Sequence, residues 1–275
     1  MPMNRSDFLK VLTFLPLLKD TRGIEQLLQR PGLLKETGRM PVLFTGHIDA
    51  VHDETVPFIK SLRALGASLN PSVILVISAH WLTLGESYVT INRHFSVKEY
   101  PSMGAPVTAE YLVNHAAVKP YHWELDHGAW MVLKHLAPRR DIPVLQLSID
   151  MEQSLDFHYQ LARQLAPLRQ MGVLIVGSGN VVHNLELSAL RFWTSKPYQW
   201  AVDFDSWVKN KIDERDFTSL FAYNGAGKSA RLAVPTADHY IPLLYALALT
   251  NRNEQIVHTY EHVTRGLSLR CMRIG

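Results

Sequence analysis

Gly172-Val-Leu-Ile-Val-Gly-Ser-Gly-Asn-Val-Val-His183-Asn184 is the stretch that decides the fold. Val173 to Val176 is a short, β-branched apolar run, the pattern of a strand buried on both faces. Gly177-Ser178-Gly179-Asn180 stops it with the small residues that a sharp turn needs, and a histidine follows at the carboxyl end. Two other runs end the same way. Pro41-Val-Leu-Phe-Thr-Gly46 delivers His47, and Val73-Ile-Leu-Val-Ile-Ser-Ala79 delivers His80 and Trp81. In an open parallel sheet the ligand crevice lies outside the carboxyl ends of the strands. Neutral imidazole is the commonest protein metal ligand. A lone strand-end histidine is usually structural, bonded to backbone, but three in one topological position point to a shared metal site.

Working outward, the runs between these strands alternate in period. A helical pattern covers Thr55 to Leu65, Ser87 to Ile91 alternates as a strand, and Val107 to Val118 reads as a helix. Asp126 caps a further helix, whose apolar stripe is Ala129, Val132, Leu133 and Leu136. Asp141 to Ser148 is another buried strand, and Leu155 to Leu168 an amphipathic helix. Asp203 to Ile212 and Ile241 to Leu249 are expected helices, and Leu267 to Met272 a final strand at a sheet edge. Strands alternating with helices predict βαβ units. The expected fold is α/β: a single domain, residues 38–275, with a central mixed, mostly parallel sheet flanked by helices.

Composition narrows the function. A net charge of +3 in 275 residues, with no Lys/Arg-rich run, gives no footprint for nucleic acid or a membrane surface. The single Cys271 excludes an internal disulfide framework and a cysteine-based zinc cluster, and it suits a reducing cytoplasm. Arg5 and Lys10 before Val11-Leu-Thr-Phe-Leu-Pro-Leu-Leu18 imitate a signal peptide, but Lys19-Asp20 closes the run and no small-x-small site follows. Residues 1–37 are therefore read as an N-terminal helical extension, and the protein as cytoplasmic.

Of the 13 histidines, His47, His80 and His183 form the strand-end set. His239 joins them because it opens a helix after a breaker-rich loop. Four imidazoles suit tetrahedral Zn(II), and fewer ligands with open positions suit Fe(II). Asp49, Asp53 and Asp238 are the carboxylates nearest to these candidates in sequence. His127, at the helix start Asp126-His127-Gly128, is the acid/base candidate. His-Glu-x-x-His is absent. Gly225-Ala-Gly-Lys-Ser229 lacks the first glycine of a phosphate loop, since Ala222 stands there. The aromatic run from Phe192 to Trp207 reads as packing, or as one wall of an aromatic-substrate pocket.

Several segments together resemble the class III extradiol ring-cleavage dioxygenases, in the branch of DOPA 4,5-dioxygenase-like proteins. They are Val76-Ile-Ser-Ala-His80-Trp81, Leu125-Asp-His-Gly-Ala-Trp130, Ile142 to Asp150, Gly172 to Asn184, and Pro235-Thr-Ala-Asp-His-Tyr-Ile-Pro-Leu-Leu-Tyr245. The match runs in order over roughly residues 41–272. It implies O2-dependent cleavage of a catechol ring beside its two hydroxyls, at one divalent metal, Fe(II) for activity or Zn(II) as isolated. It implies metal ligands at His47, His80, His183 and His239, or His183 as catalytic base instead. His127 matches a second active-site histidine. The implied partners are a small catechol and O2, in a monomer or small homo-oligomer.

Two departures bear on substrate. Ile48-Asp49-Ala50-Val51 replaces the family's Gly-Ser-Pro-Met after the first histidine, putting bulk and charge beside the metal. The loop after Arg93 is shortened to His94-Phe-Ser-Val-Lys-Glu99. Poor turnover of DOPA itself is expected from both. The rival readings are a zinc-dependent hydrolase and a non-catalytic metal-binding or interaction protein on the same fold.

Overall fold

A computed structural model of the chain describes residues 39–48, 55–85, 87, 89–92, 125–138, 142 and 144–275. The expected extension 1–37, the helix at 107–118, the loop after Arg93, Asp49 and Asp53 lie outside the described residues.

The strands are β1 (Val42–Thr45), β2 (Val73–Thr83), β3 (Val89–Asn92), β4 (Val144–Asp150), β5 (Val173–Ser178), β6 (Ile256–Tyr260), β7 (Val263–Thr264), β8 (Leu267–Ser268) and β9 (Cys271–Ile274). The helices are α1 (Val56–Ala67), α2 (His127–Leu136), α3 (Leu155–Gln164), α4 (Leu185–Ala189), α5 (Gln199–Asp213), α6 (Phe217–Phe221), α7 (Lys228–Ala233) and α8 (Ile241–Ala248). Among the described residues, seven strands form one sheet in the order β3-β4-β2-β5-β1-β9-β6, and β7 and β8 form a separate hairpin. The pairs β4–β2, β2–β5 and β5–β1 are parallel, while β3 and β9 run against their neighbours. The sheet is mixed and mostly parallel, as expected.

Alternation along the strands builds two apolar layers, because successive side chains point to opposite faces. Val73, Leu75 and Ile77 of β2 join Leu161 of α3, Phe204 and Val208 of α5 and Leu243 of α8. Ile74 and Val76 face the other way, onto Ala129, Val132, Leu133 and Leu136 of α2. The four predicted stripe positions of α2 are therefore its core face. Asp126 caps the helix by accepting from the Ala129 amide, 2.9 Å away.

Three differences from the expected elements have local causes. The stretch 267–272 splits into β8 and β9. β9 is not an edge strand, since β6 pairs along its outer side. Ile256-Val-His-Thr-Tyr260 shows no clean alternation of burial, so sequence periodicity could not reveal that edge. α3 stops at Gln164 and a 3₁₀ segment takes over from Ala166. Pro167 has no amide proton to continue the helical ladder.

Parallel register sets the site. Thr45 of β1 pairs with Ser178 of β5, and Ser178 pairs with Ser78 of β2. Thr45 and Ser178, which end β1 and β5, are therefore level with Ser78 within β2. Two residues beyond that line stand His47, His80 and, past the end of β5, Asn180.

Candidate metal centre

His47 leaves β1 through Gly46, where a side chain would strike the Leu269 backbone 2.7 Å away. Glycine there lets the chain pass close to the segment between β8 and β9. His80 is still within β2, on an irregular stretch. Between Ile77 and Leu82 the strand advances five residues while β4 advances two, from Leu147 to Ile149. A bulge of this kind re-aims side chains and is common beside active sites. His239 sits just before α8, and its carbonyl accepts from the Asn180 amide at 2.9 Å.

These three meet. The ring centroids of His47 and His80 are 5.0 Å apart, those of His80 and His239 5.0 Å, and those of His47 and His239 5.3 Å. Among the described residues, they form a donor group whose ligand nitrogens all lie within 4.8 Å of one another. His183 is near but arranged differently. It follows β5 by five residues, where its amide bonds to the Ala233 carbonyl. Its ring lies flat against His239, with centroids 3.4 Å apart and planes 6° from parallel. His127 is the first residue of α2, and its ring meets His80 edge-on at 5.6 Å.

Hydrogen bonding fixes which nitrogen faces inward. Ser178 Oγ donates to the Gly128 carbonyl at 2.8 Å, so it accepts from His47 Nδ1 at 3.0 Å. His47 Nε2 is then a lone pair, 3.0 Å from His80 Nε2. Asp238 Oδ2 is 3.0 Å from His239 Nδ1. A carboxylate only accepts, so that nitrogen carries a proton and Nε2 is the nitrogen left for the site. His239 Nε2 is buried with no hydrogen-bond partner. Buried polar atoms rarely stay unpaired, and converging lone pairs repel unless a cation lies between them. Two nitrogens each about 2.05 Å from a tetrahedral metal are roughly 3.3 Å apart, close to the His47–His80 spacing. The residues fit a divalent metal.

Burial and mutual proximity keep His47, His80 and His183 neutral. His47 is held well below its ordinary value by burial first and then by the facing His239, His80, His183 and His127. Burial, then His239 and His127, take His80 down to about 4 against the pull of Asp238. Burial and His239 take His183 to about 3. Burial favours the protonated Asp238, but the hydrogen bonds from His239 and Thr236 outweigh it, and its carboxyl lies below the usual range. Neutral imidazole is the form that binds metal or accepts a proton.

The surrounding residues lock this geometry. A side chain on Gly128 would come 2.8 Å from His80 Cδ2 and 2.9 Å from His47 Cε1. Asn180 Nδ2 donates to the His47 carbonyl at 3.1 Å and to the Ser268 carbonyl at 2.8 Å. Asp126 accepts from Ser78 Oγ at 2.6 Å and from Gln146 Nε2, tying the start of α2 to β2 and β4. Burial raises the Asp126 carboxyl despite those bonds.

Sequence reasoning named all five histidines. It missed Asn180 as the clamp on His47 and Ser178 as its hydrogen-bond partner, although both lay in the quoted turn. It placed His183 in the same topological position as His47 and His80, which strand register assigns to Asn180 instead. Ile48 packs on the cluster of Phe58, Leu62, Leu269 and Cys271, so its bulk is taken up by core. His158 is a core histidine, bridging Tyr245 Oη and the Asp150 carbonyl.

Residues 42–268 match the family model described as the catalytic LigB subunit of aromatic ring-opening dioxygenase. A protein of Escherichia coli K12 named 4,5-DOPA dioxygenase extradiol is 33% identical, over 88% of this chain and 97% of its own length. A Beta vulgaris protein of the same name is 32% identical over 73% of this chain and 82% of its own. The crystal structure of an uncharacterized Escherichia coli K12 protein superposes with a TM-score of 0.68 at 35% identity, covering 86% of this chain and 100% of that one.

Proposed function

The chain belongs to the family of the catalytic LigB subunit of aromatic ring-opening dioxygenases and is an extradiol ring-cleavage enzyme, and from that premise we propose that it opens a catechol-like ring with O2 at one divalent metal held by His47, His80 and His239. The observation that carries the metal site is the convergence of three imidazoles, one of them with a buried, unpartnered Nε2. Fe(II), when bound, supplies the Lewis acidity and electron transfer by which a catecholate and O2 react, and Zn(II) suits the same donors without that redox chemistry.

The protein's own share is orientation and proton movement. Stacking holds His183 against one ligand with its nitrogens free of the donor group, which suits it to take a proton from the substrate hydroxyl. His127 stands across the site beside His80 and suits proton return during ring opening. The overall change breaks the ring carbon–carbon bond next to the diol, and both oxygen atoms of O2 enter the product. Residues 38–275 act as one catalytic domain in this reading. The substrate is a small catechol, and DOPA is the reference compound because the relatives carry its name. Among the described residues no helix is long and apolar enough to cross a membrane.

The experiment is anaerobic loading with Fe(II), followed by O2 uptake on a panel of catechols that includes DOPA. Uptake matched by a yellow ring-opened product supports the proposal. Loaded protein that consumes no O2 with any catechol refutes it.

A further inference from the structure

We propose that Asp238 is a positioning residue for the metal centre: with Thr236 behind it, it fixes the tautomer and ring angle of His239. The inference rests on the reading that His239 is a metal ligand.

Three contacts make the arrangement. Thr236 Oγ1 donates to Asp238 Oδ1 at 2.6 Å, which leaves Oδ2 to take the proton of His239 Nδ1 at 3.0 Å. The His239 main chain is tied separately, through its carbonyl, to the Asn180 amide. The main-chain bond fixes where the residue is, but it does not fix how the ring is turned. The other tautomer would present an N–H to the site and a flipped ring a C–H, and a metal binds neither. Asp238 removes the choice, because its carboxylate offers only acceptors. A carboxylate on the far nitrogen of a ligand also raises its basicity, and losing such a partner typically costs about 10- to 100-fold in metal affinity.

The bland alternative is a turn stabiliser. Thr236–Asp238 alone would serve that purpose, with a side-chain bond across two residues. It does not explain why the second carboxylate oxygen meets the ring of a residue 4% exposed whose other nitrogen is buried and unpartnered. The side chain of Asp238 is itself only 18% exposed. The same contact holds the His239 plane on which His183 stacks.

The test measures Zn(II) affinity by competition with a chromophoric chelator, alongside the melting temperature of the metal-free protein. The natural chain is compared with Asp238→Ala, Asp238→Asn, Thr236→Val and His80→Ala. Asp238→Ala should weaken Zn(II) binding by about 10- to 100-fold, with the metal-free melting temperature moved by less than about 2 °C. Asp238→Asn keeps an acceptor and should recover part of the loss, and Thr236→Val should cost only a few-fold. Natural-strength binding by Asp238→Ala beside a metal-free His80→Ala overturns this inference alone. A natural chain that binds no Zn(II) overturns the metal reading and this inference with it. A fall in melting temperature at unchanged affinity assigns Asp238 to the turn and also overturns it. Should Asp238→Ala not fold, affinity in Asp238→Asn and Thr236→Val decides by the same criteria.

Discussion

The imidazole of His183 lies face to face on that of His239, with centroids 3.4 Å apart and planes 6° from parallel. Imidazole binds a metal in its own plane at about 2.0–2.1 Å. Rings stacked in this way do not both turn an in-plane lone pair to one point, so only one of the two would hold a metal. The stack makes the two histidines alternatives as ligands, and the grouping of His239 with His47 and His80 favours His239 as the ligand and leaves His183 as the candidate base. His183→Gln should keep its metal within about twofold and lose ring-cleavage turnover by about two orders of magnitude or more, the scale of a positioned acid/base group. Metal content and turnover on one preparation check this. Loss of the metal would return His183 to the ligand set.

His127 makes the complementary case from the other side of His80. Its place at the first turn of α2 is set by the Asp126 cap, which Ser78 and Gln146 anchor to β2 and β4. His127→Gln is expected to bind metal normally and to turn over at least about a hundredfold more slowly. A metal-free His127→Gln protein would make His127 a ligand.

Gly128 tests how tightly the imidazoles are held. An added methyl group would sit 2.8 Å from His80 and 2.9 Å from His47, and such overpacking typically costs about 1–3 kcal/mol. Taken up by the two ligands, that strain becomes a roughly 5- to 150-fold loss of metal affinity. Gly128→Ala should show it in a chelator titration, with an unchanged far-ultraviolet circular dichroism spectrum. Undiminished affinity would mean that α2 moves and the ligands do not.

Much of this site was legible in the sequence because its parts are local. β-branched runs declare buried strands, small residues declare the turns, and a histidine after each needs no tertiary knowledge. What was not legible depends on register. Asn180, and not His183, is level with His47 and His80 because Thr45, Ser78 and Ser178 align across three strands, and no single strand records that alignment. The Ser178–His47 contact spans 131 residues. Asp238 was noted only for its place beside His239, since no spacing tells a ligand from a ligand's partner. Ile48 is partly buried against the cluster of Phe58, Leu62, Leu269 and Cys271, a contact that its place beside a ligand in sequence does not reveal.

That packing makes its own prediction. Ile48→Gly removes a half-buried side chain from the cluster and should destabilise the fold by about 1–3 kcal/mol, read by denaturant unfolding. DOPA turnover should not rise. A faster variant of undiminished stability would show that Ile48 obstructs the substrate.

Acid should weaken the fold through His158, which is fully buried and held neutral, its value lowered to about 4 by burial against the Asp150 carbonyl. In the unfolded chain it titrates near its ordinary value of 6.5. Between those values the unfolded state binds the extra proton, so stability is complete above about pH 6.5 and falls as pH drops toward 4. The span corresponds to about 3 kcal/mol at most. Urea unfolding at pH 7 and pH 4.5 should show a smaller acid loss in His158→Gln than in the natural chain. Equal losses would assign the acid sensitivity elsewhere.

The central claim is that one divalent metal sits among His47, His80 and His239. The most direct measurement is the metal-to-protein ratio of folded His80→Ala after the loading that saturates the natural chain. About one metal per natural chain and essentially none in the variant are expected, because two imidazoles and open water hold a divalent ion poorly. A folded His80→Ala protein with full metal occupancy would contradict it.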